Sequence, residues 1–220
     1  MELLDLMKNR HSVRSYTDKK IEGDVKENLE AFIQQCNREG DLHMQLIVDE
    51  PMCFSTMMAH YGKFNNVKNY IAVVAKKGSG FDEKCGYYGE KVVLHAQSLG
   101  LNTCWVALTF SKSKAVFKVD EGEKLYLVIA IGYGETSGVS HKIKSVQDVS
   151  DAHEMPQWFK NGVEAALLAP TAMNQQKFTF QLNGNEVHAK AGLGFYSKID
   201  LGIVKYHFEM IAGKENFTWK

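Results

Sequence analysis

The stretch LAPTAMNQQKF, residues 168–178, joins a helical pattern to a strand-like pattern, and the rest of the chain is arranged around it. Pro170 ends the helix, because its ring and its missing N–H are incompatible with a further turn. Thr171, Asn174 and Gln176 then offer hydrogen-bond donors and acceptors, where a loop that only changes direction would more typically use Gly and Asp. The pattern favours a rigid turn that reads the polar edge of a planar ligand.

The composition is typical of a globular protein with one large domain or two small ones. Of the 220 residues, 45% are hydrophobic and 24% are charged, and the formal net charge is zero. Bulk electrostatics therefore predict neither a nucleic acid nor a membrane surface as a partner. No apolar run approaches the roughly 18 residues of a membrane span, and the N-terminal MELLD is unlike a signal peptide. We expect a cytoplasmic protein.

The cysteines and histidines form no metal-binding pattern. Cys36, Cys53, Cys85 and Cys104 are scattered without C-x-x-C spacing, and we expect buried, reduced thiols. The eight histidines include no H-E-x-x-H motif, so we expect no metal site. His95 falls on the apolar face of a predicted helix, which favours a core residue with satisfied hydrogen bonds over a catalyst.

Hydrophobic periodicity predicts an α+β fold, with mostly antiparallel sheets flanked by helices. Helices are predicted at 3–7, 25–36, 86–100, 112–119, 158–168 and 200–212, and the Met-rich segment 51–61 also favours a helix, with Met57 and Met58 in the core. Strands are predicted at 43–48, 70–75, 125–131, 178–182 and 186–189. The last two form a hairpin around Asn183-Gly184, a strong short-range turn signal.

The order of these elements repeats. Helix, strand, strand and helix occur once between 25 and 100 and again between 158 and 212. The sequence therefore predicts an internal duplication.

Two groups of basic residues are candidates for binding an anion. Arg10 and Arg14 are four residues apart, with His11, Ser12 and Ser15 between or beside them. Guanidinium groups bind phosphate through paired hydrogen bonds, but a solvated basic turn remains the alternative. The loop 135–145 contains the second group, His141, Lys142 and Lys144. Basic residues so closely spaced usually form a solvated surface, and the alternative is that they close over a phosphate.

Four motifs together resemble the FMN-dependent nitroreductase family. RHSVR (10–14) is similar to the family's R-[RH]-S-x-[RK] opening, and APTAMNQQ (169–176) to its A-P-S-A-x-N-x-Q turn. LGLNTCWV (99–106) is similar to its G-L-G-T-C-W stretch, and IAIGY (129–133), with the basic loop after it, to its I-G-Y-P strand. The resemblance is spread over most of the chain.

The resemblance implies a set of cofactor-binding residues for FMN. Arg10, His11, Ser12 and Arg14 would hold the phosphate, ribityl chain and pyrimidine edge, and Lys142 and Lys144 would reinforce the phosphate. Ala107 and Leu108 would present backbone near the flavin N5, and the other side of the ring would be lined by Pro170, Thr171, Ala172, Asn174 and Gln176. The flavin carries the redox chemistry, so no catalytic side chain is expected.

The chain departs from the family pattern in the order of its motifs. The family's A-P-S-A-x-N turn usually follows the first long helix, whereas here it lies in the second part of the chain. We therefore expect a fused pseudo-dimer with one site, although a homodimer stays open. Residues 1–150 would supply the phosphate grip and 151–220 the turn. Asn102 replaces a family glycine, and Ala107 and Leu108 replace the glycines near N5, which would narrow the substrate slot.

The implied activity is electron transfer from NADH or NADPH, through FMN, to an electron-poor acceptor such as a nitroaromatic, a quinone or a flavin. Arg10 or Arg14 near the N1–C2=O edge would stabilise the anionic reduced flavin. The alternatives are a flavin carrier or sensor without turnover, with Leu108 filling the slot, and a structural module that has lost FMN.

Overall fold

The computed structural model describes residues 2–152 and 154–220, and it confirms the α+β class with mostly antiparallel sheets. In this part of the chain the helices are α1 (Leu3–Asn9), α2 (Gly23–Gly40), α3 (Met57–Tyr61), α4 (Phe81–Ser98), α5 (Val146–Val149), α6 (Gln157–Leu167) and α7 (Ser197–Ala212). The strands are β1 (Gln45–Ile47), β2 (Tyr70–Lys76), β3 (Asn102–Val106), β4 (Glu123–Gly132), β5 (Phe178–Asn183), β6 (Glu186–Ala191) and β7 (Thr218–Trp219). Among the described helices, none has the length and apolarity needed to cross a membrane.

The chain divides into two compact units, and neither is continuous in sequence. The first unit contains the N-terminal segment through Lys8, residues 82–90 and residues 141–220. The second unit contains residues 9–81 and 91–140. These boundaries differ from the predicted division between residues 150 and 151. That division concerns which part of the chain supplies each group of site residues, and it stays a prediction.

The second unit is built on a four-stranded antiparallel sheet with the order β1-β2-β4-β3. Strand β2 is buried from Tyr70 to Ala75, as its continuous apolar sequence predicts. Val13, Phe54 and Phe64 pack against one face of this sheet.

The first unit contains the strands β5, β6 and β7 and a core of aromatic rings. The predicted hairpin is confirmed, with Gly184 and Asn185 as its two loop residues because Asn183 pairs with Glu186, and β7 adds to β6 in parallel. Phe180 stacks on Phe208 with ring centroids 4.7 Å apart, and Phe159 contacts both rings edge-on. These rings come from β5, α6 and α7, so they join the sheet to its two helices.

Within the first unit, α4 and α7 touch backbone to backbone at two glycines. A Cβ atom at Gly202 would clash with the carbonyl oxygen of Glu83, and one at Gly86 would clash with the carbonyl oxygen of Ile199. Glu83 lies three residues before Gly86, and Ile199 lies three residues before Gly202. The contact is therefore reciprocal, as at an interface with two-fold symmetry.

Two sequence-based expectations about local structure are wrong, and a third is only partly right. Met57 and Met58 are not in the core, because their side chains are 86% and 51% exposed. Residues 112–119 form a turn and an irregular segment instead of a helix. Backbone N–H groups of this segment donate to side chains outside it: Val116 N–H to the Tyr70 hydroxyl and Lys118 N–H to Gln45 Oε1. Strand 43–48 is shortened to β1.

The expectation for the cysteines is confirmed, and that for His95 is confirmed in its contacts but not in its placement in the core. The four cysteines are buried and free. His95 is half-buried, bonds through Nε2 to Asn28 Oδ1 (2.7 Å) and stacks on Phe32 with ring centroids 3.9 Å apart. Its hydrogen bond and stacking contact correspond to a structural role.

We predict that Gly202→Ala destabilises the protein, although alanine favours a helix over glycine by about 1 kcal/mol. The added methyl group would force apart two backbones, at a cost of about 2 kcal/mol or more. Urea unfolding measures whether the free energy of unfolding falls or rises, and Lys198→Ala, at an exposed position on the same helix, is the control. A Gly202→Ala variant more stable than the wild type would contradict the close contact.

Candidate functional site

The segment Arg10–Arg14 runs beside the edge strand β3 of the second unit. Ser12 and Thr103 form a parallel bridge, and the Val13 N–H donates to the Thr103 carbonyl (3.0 Å). Val13 is 2% exposed and points into the core, whereas Arg14 is exposed. The alternation of an extended chain therefore divides this short segment between the core and the surface.

Three of the predicted phosphate-binding residues lie around one buried thiol. Burial raises the pKa of Cys104, and the charge of Arg14, a hydrogen bond with Ser12 and the charge of Arg10 partly oppose that rise. Arg10 is only 2% exposed. The two guanidinium groups and the hydroxyl thus all act on the Cys104 thiol, and they are groups of the kind that bind anions.

Glycines after β4 allow this segment to be approached closely. A Cβ atom at Gly138 would lie 2.8 Å from the Cβ of His11, and one at Gly134 would lie 2.8 Å from Val13 Cγ1. Asn102 accepts a hydrogen bond from the Gly134 N–H at its Oδ1 (3.0 Å). This contact gives a structural role to the asparagine that replaces a family glycine, which the sequence alone did not reveal.

Ala107 and Leu108 follow directly after β3 in a bend. Ala107 is half-buried, and the Leu108 side chain is 66% exposed. The strand that carries Thr103 and Cys104 therefore leads straight to the two residues expected near a flavin N5.

In the first unit, the turn 171–176 has an unusual backbone. Met173, Asn174 and Gln176 have φ values of 51°, 53° and 45°. These values lie in the left-handed region of backbone conformation, which residues other than glycine rarely adopt. Strain of this kind persists only where surrounding contacts enforce it, and it clusters at functional sites. The turn is therefore a candidate site on backbone geometry alone.

Side-chain amides of the turn hold the segment 142–144. Gln176, which is 4% exposed, donates from Nε2 to the Lys142 carbonyl (2.8 Å) and accepts the Lys144 N–H at Oε1 (2.9 Å). Asn174 also donates to the Lys142 carbonyl (2.9 Å), and Lys144 Nζ donates to the Gln176 carbonyl (2.9 Å). Thr171 accepts the Gln176 N–H at its hydroxyl (3.0 Å). The structure thus brings together most of the residues predicted in this unit.

Asp200 is an acid at the turn that the sequence analysis missed. It lies in the first turn of α7 and is 5% exposed. Its carboxylate accepts the Ala172 N–H (3.0 Å) and the Gln175 side-chain amide (2.7 Å). Burial raises its pKa to about 6, and these two hydrogen bonds oppose the rise. No local sequence signal points to it, because its partners are 25 and 28 residues away.

Solved structures with the same fold define the class of the protein. One, described as a putative nitroreductase from Thermotoga maritima, is 24% identical, with a TM-score of 0.70 over 96% of this chain and 83% of that chain. Another, described as a putative nitroreductase in complex with FMN from Desulfovibrio desulfuricans, is 17% identical, with a TM-score of 0.56 over 71% of this chain and 99% of that chain. The chain has the nitroreductase fold.

A family model places the chain more closely. Residues 2–212 match the family described as "Putative TM nitroreductase", and the chain belongs to this family. The resemblance found from the four motifs is confirmed. Among curated proteins, none is similar enough to match the chain.

We predict that Asp200 makes stability depend on pH. Because its pKa is raised from 3.8 to about 6 in the folded protein, the native state binds this proton more tightly than the unfolded state does. Relative to Asp200→Asn, the wild type should lose up to about 3 kcal/mol of unfolding free energy as the pH rises from 4 to 7.5. Urea unfolding of both proteins across this range measures the difference, and a constant difference would contradict the raised pKa.

Proposed function

We propose that the chain is an FMN-dependent oxidoreductase that transfers electrons from NADH or NADPH, through bound FMN, to a small electron-poor acceptor. Family membership supports the reaction class. The observation that carries the cofactor is the position of RHSVR beside β3, where Ser12 bridges to Thr103 and where Arg10, Ser12 and Arg14 all act on the Cys104 thiol.

The residues fit an anionic cofactor such as FMN. The chain contains three arginines, and two of them, Arg10 and Arg14, lie within five residues of each other. A planar guanidinium binds phosphate in a two-pronged geometry that lysine cannot reproduce. Gly138 packs closely against His11, where any larger residue would clash with this segment.

The turn 171–176 would line the flavin ring mainly with backbone and small groups. The amides of Asn174 and Gln176 already bond to the Lys142 carbonyl, so we assign them to holding the segment 142–144 in place. Pro170, Thr171 and Ala172 remain as the groups that would face the ring. A rigid turn of this kind would orient a flat ligand at little entropic cost on binding.

When bound, FMN supplies the redox chemistry by accepting electrons from the nicotinamide and passing them to the acceptor. The protein binds and orients the reactants and excludes water. A guanidinium from Arg10 or Arg14 would favour negative charge on the pyrimidine edge. We assign no catalytic acid or base.

We also propose that the chain is a fused pseudo-dimer with one flavin site. Residues 1–150 would supply the phosphate grip and 151–220 the turn. The order of helix, strand, strand and helix supports this proposal (α2, β1, β2, α4 against α6, β5, β6, α7), with the short helix α3 inserted between β1 and β2 in the first set alone. So does the reciprocal glycine contact of α4 and α7.

We predict that Arg14→Ala weakens FMN binding about tenfold or more, because a charge-assisted contact to phosphate is lost. Arg38→Ala, which removes an exposed arginine of α2, is the matched control and should bind as the wild type does. FMN fluorescence titration measures the affinity, and wild-type affinity in Arg14→Ala would refute the phosphate assignment.

Light scattering of the FMN-loaded wild-type protein tests the fused pseudo-dimer. It should show one FMN on a species with the mass of one chain, and FMN bound only to a two-chain species would refute the fusion.

We predict that NADH or NADPH bleaches the flavin absorbance of the FMN-loaded protein in the absence of oxygen. A nitroaromatic or quinone added afterwards should restore the absorbance. Stopped-flow spectroscopy measures both steps. Flavin bands that persist with either nicotinamide would favour the carrier or sensor, and a protein that takes up no FMN would exclude both functions.

A further inference from the structure

We propose that Asp200 is a positioning residue for flavin binding, which clamps the turn 171–176 in the conformation that receives the ring. This inference rests on the proposed function. It concerns a residue that lies outside the predicted flavin-binding set.

The clamp uses both oxygens of one carboxylate. Oδ1 accepts the backbone N–H of Ala172 (3.0 Å), and Oδ2 accepts Nε2 of Gln175 (2.7 Å). A carboxylate serves two donors at once, whereas a side-chain amide has one acceptor oxygen and turns its NH₂ group towards the other donor. The geometry therefore requires an acid at this position and not merely a polar residue.

The two clamped residues enclose two of the three left-handed residues of the turn. Met173 and Asn174, which lie between Ala172 and Gln175, both have left-handed backbone conformations. Holding both ends from one side chain on a rigid helix opposes relaxation of the two residues between them. Without the clamp, we expect the turn to sample other conformations and FMN to bind only a fraction of the molecules.

Gln175 extends the clamp to a neighbouring loop. Its Nε2 also donates to the Phe195 carbonyl (2.8 Å), and Gly194 lies so close that a Cβ atom there would clash with Gln175 Oε1. The Gln175 side chain is therefore held on two sides. Its orientation towards Asp200 is built into the packing.

The charged form of Asp200 is energetically unfavourable at this buried position. It is 5% exposed, and burial raises its pKa to about 6, so its charged form is disfavoured by its surroundings. Its place in the first turn of α7 offsets part of this cost, because a helix N-terminus favours negative charge. A buried acid that opposes stability is more often kept for function than for folding.

The test compares Asp200→Asn and Gln175→Ala, singly and together, with the wild type. At pH 7.5 each single variant should bind FMN about tenfold more weakly, and the double variant should be no weaker than the worse single one, because both act on one clamp. Hydrogen exchange of the peptide 170–177 in the flavin-free protein should be faster in each variant. Circular dichroism verifies that the variants are folded.

Glu209→Gln is the matched control, because Glu209 is another buried acid on α7 that bonds to Tyr87, Lys214 and Trp219 and not to the turn. It should lower thermal stability and leave the FMN affinity unchanged. Wild-type affinity in folded Asp200→Asn would overturn the positioning role and leave the proposed function standing. A wild-type protein that binds no FMN would overturn both.

Discussion

The left-handed backbone of the turn 171–176 is the constraint on which the first unit depends. Each non-glycine residue in this conformation costs about 1–3 kcal/mol, and three occur within four positions. The turn persists because contacts hold it from two directions: the carboxylate of Asp200 on α7, and the segment 142–144 through Gln176. The start of α7 and the path of the preceding basic loop are both tied to this one feature.

This constraint changes the interpretation of the polar residues in the turn. Their sequence suggests a row of groups that read a ligand edge, but Gln176 is buried, and its Oε1 and Nε2 are both hydrogen-bonded within the unit. A buried amide satisfied in this way adds rigidity, because leaving either partner unpaired would be costly. The polar side chains shape the turn, and its small residues and backbone are what a planar ligand would meet.

The parts of the fold that the sequence predicted are those that depend on local patterns. Strand β2 is a continuous apolar run, and the hairpin follows an Asn-Gly sequence, so both were predicted correctly, although the two loop residues are Gly184 and Asn185. Met57 and Met58 were misplaced, because a hydrophobic side chain does not reveal whether a neighbour covers it. The role of Asp200 depends on a contact across 28 residues, and no periodicity encodes that contact. Within each candidate group, sequence motifs named the residues, but their hydrogen-bond partners required the three-dimensional structure.

The reciprocal contact of α4 and α7 bears on why a single chain carries one set of motifs. In a two-fold homodimer every interface residue occurs twice, so a substitution that suits one site also alters the other. In the pseudo-dimer proposed above, the equivalents of a symmetric contact are separate residues, as Gly86 and Gly202 would be, and each part could change alone. Backbone contact at both glycines constrains the helix pair on both sides, because a side chain at either position would separate the helices. The RHSVR motif lies outside this contact and needs no matching copy to keep the two helices close, so it can occur once without weakening the helix pair.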